Sequence, residues 1–224
     1  MTRAADPIER RLVQAREKMV REHIEARGVA DPRLLQALRD IPRHLFVREQ
    51  YQAAAYGDRA LPIEAGQTIS QPYVVARMTE ILAVEAGHKV LEIGTGTGYQ
   101  TAILARLARW VYSLERVPEL ATMAIARLKE LGFKNVKIEA FDGTLGWLQA
   151  APFDRILVTA GAPRVPEPLL DQLAEKGRLL IPEGDRDAQR LVLYRKTPRG
   201  VRREVGEPVA FVPLVGKHGW ERGG

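Results

Sequence analysis

The sequence predicts an α/β protein with a doubly wound, mostly parallel sheet, N-terminal helices and a C-terminal antiparallel hairpin. Short apolar runs and helical patterns alternate along the middle of the chain, which is typical of parallel strands covered by helices on both faces. One apolar strand runs into three glycines at alternate positions, 94–98, and then into a helical pattern. With 224 residues, 46% of them hydrophobic, the chain can bury one sizeable core, so we expect a single domain.

Two helices are predicted before the sheet. The first covers Ile8–Arg27, where apolar residues recur near helical spacing and Gly28 follows as a C-cap. The second begins at Asp31-Pro32, an N-cap followed by proline at the first helical position, and ends before Pro42. Residues 42–72 form a long loop-rich segment, and loops of that length in compact domains are usually functional.

The middle of the chain alternates between strand and helix patterns, and the last part contains only strand patterns. In the middle, the predicted strands are Lys89–Ile93, Trp110–Leu114, Val136–Glu139, Arg155–Thr159 and Arg178–Ile181, and the predicted helices are Tyr73–Leu82, Tyr99–Ala108, Pro118–Leu131 and Pro166–Glu175. After residue 185 the predicted strands are Arg190–Arg195, Val201–Val205 and Val209–Val215. These last strands fit an antiparallel hairpin that closes one edge of the sheet.

Composition excludes several classes of protein. No apolar run approaches the roughly 20 residues needed to span a bilayer, so no membrane partner is expected. Cysteine is absent, which excludes thiolate nucleophiles and cysteine-bound zinc, and the four histidines show no metal-ligand spacing. The net charge is +6, but basic residues are interleaved with acidic ones, so no dedicated nucleic-acid partner is predicted. The N-terminus has no apolar leader pattern, and we expect a cytoplasmic protein.

The glycine turn has the form of a site for an adenosine-like cofactor. Gly94, Gly96 and Gly98 follow the strand directly, and glycine permits positive φ and removes Cβ atoms. A ligand can therefore approach the backbone beside the unpaired N–H groups of the next helix. The following apolar run ends at Glu115, about 20 residues further on, the separation expected for a carboxylate that binds ribose hydroxyls.

A third strand end adds another acidic residue. Asp142-Gly143 follows the strand Val136–Glu139, and the carboxyl ends of parallel strands meet at one edge of the sheet. Asp142 is well placed there to accept a hydrogen bond from an exocyclic adenine amine. Dinucleotide-binding enzymes share the glycine turn and Glu115, so these two features leave NAD open as the cofactor.

The glycine turn and four other segments carry a resemblance to a known family. Residues 90–99 (VLEIGTGTGY) resemble the first motif of class I S-adenosylmethionine-dependent methyltransferases, and the chain more specifically resembles the protein-L-isoaspartate O-methyltransferase family. The other matching segments are 42–47 (PRHLFV), 67–72 (QTISQP), 151–156 (APFDRI) and 211–214 (FVPL). The resemblance covers nearly the whole chain, and 68–72 is its most specific part because it lies outside the generic cofactor fold.

This resemblance implies a Rossmann-like methyltransferase fold with a seven-stranded sheet. It implies methyl transfer from S-adenosylmethionine to the free α-carboxylate of L-isoaspartyl residues in damaged proteins and peptides, which initiates their repair. The cofactor product would be S-adenosylhomocysteine, and no metal is expected. Residues 1–224 would form one domain: a helical and substrate-loop segment (1–72), a cofactor-binding α/β core (73–185), and C-terminal strands with a tail (186–224). Isoaspartyl-containing proteins and peptides are the implied partners, and a monomer is favoured.

The resemblance also assigns site residues. Ser70 is implied as the catalytic residue beside the reacting carboxylate, with the alternative that it is the N-cap of the next helix. Its implied neighbours in the acceptor site are Ala60, Leu61 and Val212. Predicted or implied cofactor-binding residues are Thr68, Ile69, Ser70, Gln71, Gly94, Thr95, Gly96, Gly98, Glu115, Asp142 and Gly143. His44 is predicted to anchor a loop rather than to act as a base. The family usually has glycine where this chain has Phe141.

Other functions stay open at this stage. A class I methyltransferase could act on another acceptor, although residues 158–163 (VTAGAP) lack the Asn/Asp-Pro-Pro-Tyr-like sequence usual in base-amino methyltransferases. A non-catalytic adenosine-cofactor-binding protein would keep the fold without the reaction, and the intact segment 68–72 argues against it. An NAD-dependent oxidoreductase is the third alternative.

Overall fold

The computed structural model describes residues 7–221. Its strands are β1 (Leu61–Pro62), β2 (Thr68–Ile69), β3 (Lys89–Ile93), β4 (Trp110–Glu115), β5 (Val136–Ala140), β6 (Phe153–Val158), β7 (Leu173–Gly184), β8 (Gln189–Thr197) and β9 (Gly200–Val209). Its α-helices are α1 (Pro7–Lys18), α2 (Pro32–Asp40), α3 (Pro72–Leu82), α4 (Tyr99–Leu107), α5 (Pro118–Glu130) and α6 (Glu167–Asp171). None of the helices in this range is long and apolar enough to cross a membrane.

Seven of the strands form one sheet in the order β5-β4-β3-β6-β7-β8-β9. The first five in that order are parallel, whereas β8 and β9 extend the sheet as an antiparallel pair. The order of the strands reverses between β3 and β6, and open α/β sheets bind ligands at the carboxyl ends of strands at such a point. The predicted doubly wound fold, the seven-stranded sheet and the C-terminal antiparallel hairpin are confirmed.

The central strands are apolar on both faces because helices cover the sheet on both sides. In β3, Val90 belongs to one hydrophobic cluster and its neighbour Leu91 to the other. In β6, Leu157 and Ile156 divide between the clusters in the same way. This alternation follows from the two-residue period of a strand and explains why both strands are near-continuous hydrophobic runs.

The N-terminal helical segment is less regular than predicted. The predicted helix Ile8–Arg27 is α-helical only to Lys18, and a π-helical turn (Met19–Ile24) and a 3-10 turn (Glu25–Arg27) complete it. Gly28 ends the segment with φ of 92°, as the predicted C-cap. Of the apolar residues at helical spacing, Met19 and Ile24 are buried, Leu12 and Ala15 are partly buried and Ile8 is exposed. So short a pattern does not distinguish an α-helical from a π-helical turn.

The predicted helix Pro166–Glu175 is wrong over its second half. Helix α6 ends at Asp171, and β7 begins at Leu173 rather than at Arg178. Leu173 lies opposite Phe153 at the start of β6, and the Phe153 N–H donates to the Gln172 carbonyl at 2.9 Å. Pairing with β6 thus overrides the local helical pattern, since intrinsic propensity is a weak determinant against tertiary contacts.

The predicted strands Val201–Val205 and Val209–Val215 are also corrected. One continuous strand, β9, ends at Val209, and the chain beyond it leaves the sheet edge. There Pro213 forms a bridge with Gly161, and the Gly161 N–H donates to the Val212 carbonyl at 2.8 Å. Residues 211–215 therefore cross the carboxyl end of β6, at the point where the strand order reverses.

Gly98 supports the packing of α4 on α5. It has φ of +89°, and a Cβ added there would lie 3.3 Å from Leu128 Cδ1, whereas Gly132 has φ of +78° with nothing within 4 Å of such a Cβ. We expect Gly98→Ala to lower the free energy of unfolding by about 2–3 kcal/mol, from backbone strain and crowding together. Gly132→Ala isolates the strain and should cost about 1 kcal/mol. Urea denaturation measures both, and equal losses would show that the contact with Leu128 contributes nothing.

Candidate functional site

The glycine turn after β3 packs directly on the end of β6. Gly94 has φ of +96°, and a Cβ at this position would collide with Thr159 Oγ1. The Thr159 hydroxyl lies 2.9 Å from the Ile93 carbonyl oxygen and 2.7 Å from that of Gly94. The turn therefore needs glycine at position 94 both for its backbone angle and for its contact with β6.

Glu115, the last residue of β4, is hydrogen-bonded to the same turn. Its Oε2 accepts the Gly96 N–H and its Oε1 accepts the Val117 N–H, both at 2.9 Å. An ionised carboxylate has about four acceptor positions, so these two bonds leave positions for further donors. Glu115 is thus fixed in orientation by the backbone and still able to bind hydroxyl groups of a ligand.

Two connected depressions lie at the carboxyl edge of the sheet. The first, here named the main cleft, is lined by residues 67–70, 93–97, 99–100, 114–117, Gly143, 159–160 and 211–215. The second, here named the side groove, is lined by Ala60, Thr68, Ser70, Gln71, Val74, Thr159 and 208–212. Thr68, Ser70, Thr159, Phe211 and Val212 belong to both, so a ligand in the main cleft and one in the side groove would meet at these residues.

Ser70 lies at this junction and has a free hydroxyl. Within the described part of the chain no hydrogen bond to its Oγ is formed, while its carbonyl accepts the Arg43 Nη2–H at 2.8 Å. The N-cap of α3 is Gln71, which makes no side-chain capping bond. The alternative of Ser70 as the N-cap is therefore wrong, and its hydroxyl is available to a ligand.

The other residues assigned from the sequence divide between the two depressions. Thr68, Ile69, Thr95 and Gly143 line the main cleft together with Gly94, Gly96 and Glu115. Ala60 and Gln71 line the side groove, and Val212 lines both depressions. Gly98 and Leu61 lie outside both walls: Gly98 packs on Leu128, and Leu61 is buried and pairs with Ile69.

Asp142 faces the C-terminal segment rather than the main cleft. Its Oδ1 accepts the N–H and the hydroxyl of Thr144 at 2.9 and 2.7 Å, and its Oδ2 accepts the Lys217 N–H at 2.8 Å. Partial burial opposes ionisation, but the bonds from Lys217 and Thr144 outweigh it and hold the pKa of Asp142 below its ordinary value. The adenine contact of Asp142 stays a prediction, and the sequence did not indicate its contact with residue 217.

A second carboxyl, Glu92, lies buried beneath the glycine turn. Its Oε2 accepts the hydroxyls of Thr101 and Ser113, each at 2.6 Å, and Ser113 Oγ lies 2.6 Å from Thr95 Oγ1. Since Ser113 donates to Glu92, Thr95 donates to Ser113. Burial raises the pKa of Glu92 to about 8, so it is mainly neutral at pH 7. This network ties the Thr95 side chain to β4 and fixes the turn.

His44 anchors the loop that precedes β1. Its Nδ1 lies 2.7 Å from the Tyr56 hydroxyl, and burial lowers its pKa, which favours the neutral imidazole. It lines neither depression. This geometry agrees with the predicted anchoring role and provides no base for the site.

Sequence reasoning missed several residues of the cleft wall. Thr159, Tyr99 and Gln100 all line the main cleft, and the fully buried Arg43 lies behind it. Thr159 directly follows β6, so the rule that ligands bind at strand ends could have identified it. Arg43 carried no such signal because its contacts lie 12 and 27 residues further along the chain.

Comparison with known proteins agrees with this geometry. The family model described as protein-L-isoaspartate(D-aspartate) O-methyltransferase matches residues 14–219. The chain belongs to this family. The protein-L-isoaspartate O-methyltransferase 1 of Syntrophobacter fumaroxidans is 54% identical over 208 residues, which cover 93% of this chain and 97% of the relative.

Solved structures of the family share the fold. One, a protein-L-isoaspartate O-methyltransferase, is 31% identical with a TM-score of 0.83, over 91% of this chain and 67% of that one. A Plasmodium falciparum protein, described as a beta-aspartate methyltransferase and solved with S-adenosyl-L-homocysteine, is 26% identical with a TM-score of 0.79, over 89% and 98%. The predicted family, fold and class of enzyme, an S-adenosylmethionine-dependent protein carboxyl methyltransferase, are confirmed.

The geometry of Glu115 generates a binding prediction. We expect Glu115→Gln to weaken the binding of S-adenosylhomocysteine about tenfold to a hundredfold, because hydrogen bonds to a charged group contribute about 1.5–3 kcal/mol. Isothermal titration calorimetry measures this affinity. Glu139→Gln on the neighbouring strand β5 is the matched control, since Glu139 is half-exposed and pairs with the exposed Lys137. Unchanged affinity in Glu115→Gln would remove this residue from the cofactor site.

The buried carboxyl of Glu92 predicts a pH dependence of stability. The pKa rises from an ordinary value of 4.5 to about 8 on folding. Between these values the unfolded chain is ionised at this residue and the folded chain is not, so stability falls as pH rises. We expect Glu92→Gln to be less sensitive to pH than the parent chain in urea denaturation at pH 5 and pH 8. Glu139→Gln should keep the parental slope, and an unaltered slope in Glu92→Gln would refute this account.

Proposed function

We propose that the main cleft holds S-adenosylmethionine and that the side groove receives the α-carboxylate of an L-isoaspartyl residue, which is methylated at their junction to begin repair. The observation that carries this proposal is the free hydroxyl of Ser70, which lies where the two depressions meet. Most of the main-cleft wall comes from the predicted core segment 73–185, and most of the side-groove wall comes from residues within 60–71 and from 208–212.

The residues of the main cleft fit the cofactor. Gly94 and Gly96 have positive φ and no Cβ, so a ligand can approach the backbone at these two positions. The buried carboxylate of Glu115 has acceptor positions for ribose hydroxyls. Thr68, Ile69 and Ser70 would close the cleft on the side toward the acceptor. Asp142 and Gly143 would lie at the adenine end, with the Asp142 carboxylate also holding residue 217.

The reaction requires little acid–base chemistry from the protein. When bound, S-adenosylmethionine supplies a methyl group on a cationic sulfur, and a carboxylate oxygen bonds to that carbon while the carbon–sulfur electron pair stays on sulfur. A carboxylate with a pKa of about 4 is already ionised at neutral pH, so no base is needed. The tasks left to this chain are to orient both groups and to exclude water.

Ser70 would orient the acceptor. Its hydroxyl can donate to the carboxylate oxygen that does not react, and bonds to an ionised acceptor are among the stronger hydrogen bonds in proteins. The Ser70 backbone is itself held, because its carbonyl accepts from the buried Arg43. The backbone from which the hydroxyl projects is therefore fixed relative to both depressions.

The side groove suits an extended polypeptide. Its walls come from residues within 60–74 on one side and from 208–212, the end of the edge strand β9 and the segment that follows it, on the other. An acceptor group that occurs in many different proteins must be recognised mainly through its backbone, and exposed sheet edges bind extended peptides in this way. Damaged proteins with a locally unfolded segment are thus the proposed partners.

Paired peptides test the proposed function. Two peptides that differ only in Asp versus isoaspartate are incubated with methyl-labelled S-adenosylmethionine, and label in each is counted. We expect label only in the isoaspartyl peptide. Label in neither peptide, with cofactor binding shown separately by calorimetry, would instead favour another acceptor or a non-catalytic role.

Replacing Ser70 tests its assigned role. We expect Ser70→Ala to lower kcat/KM for the isoaspartyl peptide about tenfold to a hundredfold, from the loss of one charge-assisted hydrogen bond. The affinity for S-adenosylhomocysteine should stay near that of the parent chain. Thr122→Ala is the control, since this exposed hydroxyl donates to the Pro118 carbonyl within α5. Full activity of Ser70→Ala would remove this hydroxyl from the mechanism.

A further inference from the structure

Arg43 is a fully buried arginine directly behind the junction of the main cleft and the side groove. Its Nε donates to the Ala55 carbonyl and its Nη2 to the Ser70 carbonyl, both at 2.8 Å. The guanidinium carbon lies 4.9 Å from the centre of the Tyr99 ring, which itself lines the main cleft. Nη1 has no hydrogen-bond partner among residues 7–221.

The positive charge of Arg43 is not neutralised by a neighbouring carboxylate. Among the described residues no acidic side chain forms an ion pair with it, and the carboxylate whose charge acts on it, Asp58, is paired with Arg27 at 2.8 Å. Burial lowers the pKa of Arg43 to about 10, so it stays protonated at neutral pH. Buried charges are costly and are normally paired with an opposite charge.

We propose that Arg43 is a positioning residue whose positive charge changes the affinities of the two ligands at the junction, each according to its own charge. It favours the anionic carboxylate of the acceptor at Ser70, and it disfavours the cationic sulfur of S-adenosylmethionine relative to the neutral sulfur of S-adenosylhomocysteine. The first half of this inference rests on the proposed function, whereas the second needs only cofactor binding in the main cleft.

The position of Arg43 makes both effects follow from one charge. Ser70 lines both depressions and Tyr99 lines the main cleft, and the guanidinium contacts these two residues from behind. Charges interact more strongly across a protein interior than across water. The acceptor and the cofactor carry opposite charges that cancel when they react, so the two effects on the barrier oppose each other. Arg43 should therefore act on binding far more than on kcat.

Three variants separate this role from a structural one. Arg43→Gln keeps hydrogen-bond donors but removes the charge, and Arg43→Lys keeps the charge but loses the two-pronged geometry. Arg155→Gln is the matched control, because Arg155 is also buried and donates to a backbone carbonyl, that of Ala83, but near the opposite end of β6. Thermal unfolding of each variant reports the structural cost.

Isothermal titration calorimetry provides the decisive measurement, because it compares binding affinities and requires no methyl transfer. We expect the ratio of the Kd for S-adenosylmethionine to the Kd for S-adenosylhomocysteine to fall about fivefold in Arg43→Gln, an order-of-magnitude value for charges interacting through a partly solvated interior. The ratio should change little in Arg43→Lys and Arg155→Gln. In the same Arg43→Gln variant, KM for the isoaspartyl peptide should rise about tenfold with kcat changed less than KM.

The possible outcomes are distinct. An unchanged cofactor ratio in folded Arg43→Gln, or an equal change in Arg43→Lys, would overturn the proposal and leave a structural role only. If Arg43→Gln does not fold, the parent chain still tests the idea, because it should bind S-adenosylhomocysteine more tightly than S-adenosylmethionine, and the reverse order would refute it. Absence of methyl transfer to any isoaspartyl peptide would refute the proposed function without altering the cofactor ratio.

Discussion

The packing of Gly94 against Thr159 is the constraint on which the site depends. It joins the two strands between which the order of the sheet reverses, and any Cβ at position 94 would collide with the threonine hydroxyl. Because the chain turns within this narrow space, the Gly96 N–H reaches Glu115 and α4 begins directly behind the turn. A larger residue would move the turn away from β6, and both walls of the main cleft would separate.

Two carboxyl groups beside this turn, Glu115 and Glu92, have different roles because one lines the main cleft and the other is buried beneath the turn. Glu115 accepts two backbone N–H groups and lines the main cleft, where it can also bind ligand hydroxyls. Glu92 is completely buried, and although two side-chain hydroxyls donate to it, burial dominates and favours its neutral form. A charged group in the second position would weaken the fold, while a neutral group in the first would remove acceptor strength from the cleft. The chain uses one for binding and the other for holding Thr95 and Ser113 in place.

Local patterns predicted the parts of this protein that depend on local interactions. The glycine turn and Glu115 follow strands that are apolar in sequence, and both lie where the rule for parallel sheets places them. The second half of Pro166–Glu175 was wrong because pairing with Phe153 on β6 decides its conformation. The orientation of Asp142 could not be predicted, since a backbone N–H from residue 217 fixes it. Arg43 was overlooked for the same reason, because its partners are distant in sequence.

The side groove itself explains how an enzyme of this family can distinguish two isomeric carboxylates under the proposed function. Its lining residues carry no charge, only hydroxyls, one amide and apolar groups, so the groove cannot select an acidic residue by an ion pair. The free carboxylate of isoaspartate is attached directly to the α-carbon, whereas that of aspartate is one methylene further away. With the peptide backbone held by the groove and Ser70 held by Arg43, this difference displaces the reacting oxygen by about one bond. A displacement of about 1 Å can reduce a rate a hundredfold, so a rigid junction is sufficient for selection.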